Sequence, residues 1–272
     1  MIGRIELIGS GIRILQKGYF MLKKHLILLA AMLCVALAPA HLKTELAAQQ
    51  PASQKAAPHT ASRMSAYAPA ERIPNLDELK AELKQYYACT CKCGCYAKDL
   101  DHQADRAIAF LRMRAAHSHP RERLALVLDI DETTLSNYEE MVNVDFAYDK
   151  TVFDAWVETA KAPAIPGTLR IFNEARRLGV SVFFITGRAE PERAATETNL
   201  RNQGFQDWQE LTMRRPSQAS GTAQAYKSAT RAAIQAQGYK IVLNVGDQWS
   251  DLKGTPEAEF SVKYPDPFYF LK

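Results

Sequence analysis

The chain has 272 residues, of which 47% are hydrophobic and 9% aromatic, enough for one large folded domain with appendages. Its formal net charge of +4 arises in the first 40 residues, which hold five basic side chains and one acidic side chain. The remainder is balanced, with 29 basic and 29 acidic residues, and this balance argues against binding to a nucleic acid polymer.

Residues 1–40 are predicted to be a signal peptide or an N-terminal anchor. Lys23 and Lys24 precede the apolar run 26–37, and an Ala-Pro-Ala sequence follows it at 38–40, which is the pattern of a secretory signal. The run is shorter than the roughly 20 residues that a membrane-spanning helix needs. An uncleaved anchor stays open, as does a true start at Met21. We therefore expect an exported protein, periplasmic or secreted, that contacts a membrane only through this segment.

The next two segments are predicted to be a linker and a small helical layer. Residues 41–70 are rich in Ala, Gln, Ser and Pro, a composition that buries too little apolar surface to fold, so we expect a flexible linker. Residues 71–122 form the predicted helical layer. Its first helix starts near Asn75, where apolar residues recur at helical spacing, and its second runs from about Ala97 to Ala116.

Four cysteines lie between these two predicted helices: Cys89, Cys91, Cys93 and Cys95. In an exported chain such a group favours disulfides. Binding of a soft metal and free thiols stay open, although this spacing is closer than that of structural zinc sites. The sequence fixes neither the role nor the redox state of the four.

From residue 123 to the C-terminus, apolar strands alternate with helices. Strands are expected at 124–128, at 180–185, near Leu211, at 240–245 and at 260–262. Helices are expected from Gly167 to before Gly179, from Pro191 to before Gly204, and from Thr222 to Gln237. This alternation predicts an α/β domain built on a doubly wound parallel sheet, with ligands gathering at the carboxyl ends of the strands.

The most informative segment is 124–134, an apolar strand that stops at two aspartates. Side chains two residues apart on a strand face the same way, so Asp129 and Asp131 are expected to project near one crevice. Two carboxylates held this close are costly unless a cation neutralises them or one of them is protonated. The pattern therefore indicates a metal-dependent active site.

Three further segments carry candidate residues of the same site. The strand at 181–186 ends in Thr186, the helix at 222–237 contains Lys227, and the strand at 241–245 is followed by Asp247 and Asp251. Each signal is weak alone, but each except Lys227 lies at the end of an apolar strand. Together and in chain order, the four segments resemble the haloacid dehalogenase-like phosphohydrolases.

Further stretches narrow the resemblance to the class B-like acid phosphatase branch. That branch contains bacterial exported acid phosphatases, lipoprotein e type nucleotidases, plant acid phosphatases and vegetative storage proteins. The matching stretches are 131–137, 153–156, 162–167, 196–200, 226–228, 246–252 and 264–270. The resemblance runs from about residue 75 to the C-terminus and implies a haloacid dehalogenase-like domain at 123–272 with a small cap insertion.

The resemblance implies an exported, Mg²⁺-dependent acid phosphatase that hydrolyses small phosphomonoesters, with nucleoside monophosphates among the candidates. Asp129, already ionised, would attack phosphorus and form an aspartyl-phosphate. Asp131 would protonate the leaving alcohol and later accept a proton from water. The metal ligands would be the side chains of Asp129 and Asp247 and the main-chain carbonyl of Asp131.

The remaining residues of the implied site would bind the phosphoryl group or orient other groups of the site. Thr186 and Lys227 would hold the phosphoryl oxygens, and Asp251 would orient Lys227 or a water on the metal. Arg188 contacts phosphate or forms a structural ion pair, and the sequence leaves both open. The aromatic residues of the cap insertion either stack on a flat leaving group or, for Phe153 and Trp156, form the core face of one helix.

The sequence is compatible with two other functions and with a homo-oligomeric assembly. A phosphotransferase would use the same aspartyl-phosphate but pass it to an alcohol other than water. A non-catalytic storage or binding protein is the third reading, and the presence of all six candidate site residues argues against it. A homo-oligomer is compatible with the sequence, which names neither the natural substrate nor the pH optimum.

Overall fold

The structure is a computed structural model that describes residues 73–89, 95–218 and 220–271. Its centre is a five-stranded parallel sheet with the strand order β3-β2-β1-β4-β5. The strands are β1 (Arg123–Leu128), β2 (Ser181–Ala189), β3 (Glu210–Arg214), β4 (Tyr239–Gly246) and β5 (Phe260–Lys263). The helices in the described residues are α1 (Leu76–Ala88), α2 (Tyr96–Ala116), α3 (Tyr138–Asn143), α4 (Lys150–Glu158), α5 (Pro166–Arg177), α6 (Arg193–Asn202), α7 (Ala223–Ala236) and α8 (Trp249–Leu252).

Strand β1, the middle strand, shows why helices cover both faces of the sheet. Leu126 and Leu128 belong to an apolar cluster that includes Leu111 of α2, whereas Val127 belongs to a second cluster with Ile234 of α7. Successive side chains of a strand point to opposite faces, so this alternation requires apolar cover on each side. The predicted doubly wound α/β architecture is confirmed.

Local sequence explains where several helices begin and end. The side chain of Asn75 accepts a hydrogen bond from the main-chain N–H of Asp77 at 2.9 Å, and Thr222 accepts one from Ala225 at 3.1 Å. Such caps satisfy N–H groups that the first helical turn leaves unpaired. Gly204 follows α6 with a φ of +93°, a left-handed conformation that favours glycine at a helix end.

Helices α1 and α2 are linked by a disulfide between Cys89 and Cys95, whose Cα atoms are 5.4 Å apart. The expectation of a disulfide in this segment is confirmed for this pair, while Cys91 and Cys93 lie outside the described residues. Next to the bridge, the ring of Tyr96 meets that of Phe268 edge to face, with 5.1 Å between centroids. The helical layer is therefore packed onto the C-terminal segment of the chain.

Replacing Cys89 and Cys95 by Ser should lower stability and leave kcat near the wild-type value. The bridge closes a loop of sequence separation 6, and the chain-entropy model gives about 2 kcal/mol for so short a loop. Turnover should survive because the bridge lies outside the strand-end segments. Thermal unfolding and steady-state kinetics test both points, with Cys91→Ser/Cys93→Ser as control. An unchanged Tm, or a folded variant without turnover, would contradict this expectation.

The predicted signal or anchor at 1–40 and the predicted linker at 41–70 lie outside the described residues. Among the helices that the structure describes, none is long and apolar enough to cross a bilayer.

The structure differs from the sequence-based expectation at three places. Strand β2 continues to Ala189, so Thr186 lies inside the strand rather than at its end. Helices α3 and α8 were not predicted, because 6 and 4 residues are too few to show an apolar period. Helix α4 agrees with the core-face alternative for Trp156, which packs against the main apolar cluster, whereas the ring of Phe153 lies near that of Tyr148.

Candidate active site

The register of the parallel strands brings two predicted site residues to one edge of the sheet. Leu128, the last residue of β1, pairs with Phe184 in β2 and with Val245 in β4. Asp129 and Asp247 follow directly after the carboxyl ends of β1 and β4. Ligands of doubly wound sheets bind at this edge, where the strand order reverses direction.

Three carboxylates and one ammonium group are buried together at this edge. Asp129, Asp247 and Asp251 are at most 5% exposed, and each offers an oxygen within 4.8 Å of the others. Lys227 Nζ donates a hydrogen bond to Asp129 Oδ1 at 2.6 Å and another to Asp251 Oδ1. Four predicted site residues, from three different segments of the chain, therefore form one cluster.

The carboxyl groups of this cluster outnumber its one lysine three to one. Burial raises the pKa of both Asp129 and Asp247, and the Asp251 carboxylate raises them further, while Lys227 acts in the opposite direction on Asp129. Burial alone would lower the pKa of Lys227, but Asp129 and Asp251 outweigh it and raise that pKa. The lysine is therefore charged, and the carboxylates are stabilised by any further cation that binds among them.

Two threonines of the loop after β1 form hydrogen bonds to Asp129 and Asp247. Thr134 Oγ1 donates to the main-chain oxygen of Asp129 at 2.5 Å, and Thr133 Oγ1 donates to Asp247 Oδ1 at 3.1 Å. Both threonines are fully buried, and their hydroxyl groups are satisfied by these bonds. Neither threonine has a role in the sequence-based prediction, although both belong to the family-like stretch at 131–137.

Asp131 lies beside the cluster and is held by an arginine and an asparagine. Its Oδ1 accepts hydrogen bonds from Arg188 Nη2 at 2.7 Å, from Arg188 Nε at 3.0 Å and from Asn137 Nδ2 at 2.9 Å. The side chain of Arg188 is 1% exposed and that of Asp131 is 18% exposed. Of the two alternatives for Arg188, the structure shows the ion pair, and its partner is the predicted general acid.

Thr186 lies at the same edge but makes no hydrogen bond to the carboxylate cluster. It is fully buried, and its Oγ1 accepts a hydrogen bond from the main-chain N–H of Arg188 at 3.1 Å. No residue in the described part of the chain accepts the Thr186 hydroxyl proton. That hydroxyl is free to donate to an anion.

Asp251 is fixed by close packing against the end of β4. The main-chain N–H of Gln248 donates to Asp251 Oδ2 at 2.8 Å, and Lys227 donates to the other oxygen. A Cβ atom at Gly246 would overlap the side chain of Asp251, so position 246 requires glycine. Both oxygens of Asp251 are thus occupied by N–H donors.

The C-terminal segment contributes groups that the sequence analysis did not assign. Gln248 Nε2 donates to Asp247 Oδ2 at 2.8 Å and to Asp266 Oδ2 at 2.6 Å. The pKa of Tyr269 is raised by burial and then by nearby carboxylates, Asp247 first among them. In the sequence, Gln248 belongs to the family-like stretch at 246–252 and its chemistry alone indicated no role, and 264–270 was identified only by its family resemblance.

Comparison with known proteins agrees with this geometry. The family model for the HAD (haloacid dehalogenase) superfamily, subfamily IIIB (acid phosphatase), matches residues 43–272. "Acid phosphatase 1" of Solanum lycopersicum is 37% identical over 179 residues, covering 65% of this chain and 69% of the relative. A "Stem 31 kDa glycoprotein" of Glycine max is 39% identical over 150 residues, which are 54% of this chain and 59% of that protein.

"Vegetative storage protein 1" of Arabidopsis thaliana is 31% identical over 150 residues, 53% of this chain and 54% of the relative. The chain thus spans little more than half the length of these soybean and Arabidopsis relatives. The crystal structure of a class C acid phosphatase from Bacillus anthracis with tungstate bound superposes with a TM-score of 0.58 at 19% identity, over 71% of this chain and 86% of the other, and shares the fold. With the family model matched over most of its length, the chain belongs to subfamily IIIB of the HAD superfamily, the acid phosphatases, and is a phosphomonoesterase.

Proposed function

We propose that the protein is an exported, Mg²⁺-dependent acid phosphatase that hydrolyses small phosphomonoesters through an aspartyl-phosphate on Asp129. The observation that carries this proposal is the buried cluster of Asp129, Asp247 and Asp251 around the single ammonium of Lys227. Such a cluster at the carboxyl edge of a parallel sheet suits phosphoryl transfer, which needs positioned charge more than any other contribution.

The donor set fits a hard divalent cation. Mg²⁺ prefers oxygen ligands, and Asp129 Oδ2 accepts no hydrogen bond from any described residue. Asp129, Asp247 and the main-chain carbonyl of Asp131 would hold the ion, while Asp251 has both oxygens taken by N–H donors. When bound, Mg²⁺ would screen the repulsion between an attacking carboxylate and a phosphoryl group.

The chain's own residues then account for both half-reactions. In the first, Asp129 attacks phosphorus, the bond from phosphorus to the leaving oxygen breaks, and that oxygen takes a proton from Asp131. In the second, water gives a proton to Asp131 and attacks phosphorus, and the bond to Asp129 breaks to release phosphate. The sum is one phosphomonoester and one water converted to one alcohol and one phosphate, with both carboxyl groups restored.

Lys227 and Thr186 are the proposed phosphate-binding residues. The Lys227 ammonium already lies 2.6 Å from Asp129 Oδ1, so a phosphoryl group attacked by Asp129 would come within its reach. The Thr186 hydroxyl has a proton that no described residue accepts. Asp251 acts as the positioning residue for Lys227, through the ion pair between them.

Asp131→Asn should slow hydrolysis most for phosphate esters with poor leaving groups. Such leaving groups need protonation, and general acid catalysis contributes typically about 10²–10⁴-fold. Alkyl phosphates should therefore lose far more kcat/KM than nitrophenyl phosphate, while the Mg²⁺ requirement changes little because the proposed ligand is a main-chain oxygen. Equal losses for the two substrates would contradict the assignment of Asp131 as general acid.

One assay tests the proposal as a whole: phosphate release from nucleotides, sugar phosphates and aryl phosphates, each with and without Mg²⁺. Added alcohols such as glycerol identify a phosphotransferase, because that enzyme would form new phosphate esters at the expense of free phosphate. Absence of phosphate release from every ester would instead favour a storage or binding role, as the names of some plant relatives indicate.

Export remains part of the proposal. Its support is the signal-like pattern at 1–40, ahead of a proposed linker at 41–70, a helical layer at 71–122 and the phosphatase domain at 123–272. The disulfide between Cys89 and Cys95 agrees with an oxidising compartment. Cell fractionation, with N-terminal sequencing of the mature protein, distinguishes cleavage and release from an uncleaved anchor.

A further inference from the structure

The two carboxyl oxygens of Asp131 have different surroundings. Oδ1 accepts three hydrogen bonds, two from Arg188 and one from Asn137, at 2.7–3.0 Å. Oδ2 accepts none from the residues that the structure describes. A proton on Oδ1 would point at three N–H donors, so a proton carried by this carboxyl group belongs on Oδ2.

Asn137 reaches Asp131 in only one of its two amide orientations. Its Nδ2 donates to Asp131 Oδ1 and to Glu132 Oε2, each at 2.9 Å. Its Oδ1 accepts from the indole N–H of Trp156 at 2.9 Å and from Arg188 Nη2 at 3.4 Å. A reversed amide would place its oxygen against two carboxylates and its NH₂ group against two donors, so the neighbours fix the orientation.

Trp156, in the insertion between Asp131 and Thr186, also enters this network. It belongs to α4 and packs partly buried against the main apolar cluster, with its indole N–H directed at Asn137. Asn137 is fully buried, and the main-chain N–H of Asn137 donates to Glu132 Oε1 at 2.6 Å. The hydrogen bonds of a buried network depend on one another, so we expect a change at Trp156 to alter the position of Asp131 through Asn137.

We propose that Trp156 and Asn137 are positioning residues that, together with Arg188, anchor Oδ1 of Asp131 and reserve Oδ2 for the proton given to the leaving alcohol. This inference rests on the proposed function of Asp131 and deepens it. The cap insertion thereby acts on the chemical step through one indole N–H group. The aromatic ring of Trp156 packs against the main apolar cluster.

Trp156→Phe tests the proposal because it removes the N–H donor and keeps most of the ring. We expect kcat to fall about tenfold for an alkyl phosphate, a part of what a general acid contributes, and about twofold or less for nitrophenyl phosphate. KM and Tm should stay close to wild type. Trp208→Phe is the matched control, since Trp208 is also partly buried but its indole N–H meets no acceptor among the described residues.

A double-mutant cycle with Asp131→Asn separates positioning from a general structural effect. If Trp156 acts through Asp131, the double variant should be no slower than Asp131→Asn alone. Equal losses on both substrates, additive losses in the double variant, or no loss at all would overturn the inference. If Trp156→Phe does not fold, Asn137→Ala is judged by the same criteria.

The same cycle keeps this inference distinct from the proposed function. If Asp131→Asn itself slows both substrates equally, the general-acid role of Asp131 is wrong. If Asp131→Asn is selective for the alkyl phosphate but Trp156→Phe is not, only the positioning role is wrong. Circular dichroism and thermal unfolding of each variant establish that the comparison is made between folded proteins.

Discussion

Asp129→Asn should abolish turnover and leave the fold intact. The substitution removes the proposed nucleophile and one proposed metal ligand together, and loss of a nucleophile or its partner base typically costs on the order of 10⁴–10⁶-fold in kcat. Stability should be equal or higher, because a buried carboxylate beside two others is costly and Lys227 keeps its ion pair with Asp251. Phosphate release and thermal unfolding measure the two effects.

A matched control for this variant is Asp105→Asn on the exposed face of α2, where the carboxylate pairs with Arg170. This surface substitution removes the same charge at a distance from the strand ends and should leave kcat unchanged. Substantial turnover in Asp129→Asn, with Asp105→Asn at the wild-type level, would end the covalent mechanism.

Asp247→Ala should raise the Mg²⁺ concentration needed for half-maximal activity by more than about 100-fold, since even the residues behind metal ligands contribute 10–100-fold to affinity. Asp247 is fully buried at the end of β4, and it is held there by Thr133 and Gln248. Activity titrated with Mg²⁺ gives the measurement, and activity lost after chelation should return on adding Mg²⁺ to wild type.

Asp251→Ala is the informative comparison, because it removes a carboxylate from the same cluster. Both Asp251 oxygens accept N–H donors, from Lys227 and Gln248. We expect this variant to lower kcat and stability through Lys227 while its Mg²⁺ requirement shifts less than that of Asp247→Ala. The reverse ranking would mean that Asp251 is the ligand and Asp247 the residue behind it.

The central sheet was predictable from the sequence because its strands are apolar on both faces. Segment 124–128 is a continuous apolar run, and segment 241–245 is apolar except for Asn244. Parallel strands covered by helices have this composition. Once the strands are placed, the meeting of Asp129 with Asp247 follows, since both come at carboxyl ends of neighbouring strands. Lys227 has no such signal of its own, and the family resemblance identified it.

The contacts around Asp131 were not predictable, because they join residues far apart in the chain. Arg188 lies 57 residues from Asp131, and its two alternatives could be separated only by the fold. The spacing of apolar residues in α4 predicts that Trp156 packs against the core, and it does. That spacing does not show which residue accepts the hydrogen bond from its indole N–H. The pairing of Cys89 with Cys95 likewise depends on where α1 ends and α2 begins.

The most direct test of the account is to identify the residue that carries phosphate during turnover. Enzyme mixed with an aryl phosphate and Mg²⁺ is quenched in acid and reduced with borohydride, which converts an aspartyl-phosphate but not a free aspartate, and its peptides are mapped by mass spectrometry. We predict one reduced residue, at Asp129, which is absent without substrate. Modification at another residue, or turnover with no modified residue under conditions where a control aspartyl-phosphate is detected, would contradict it.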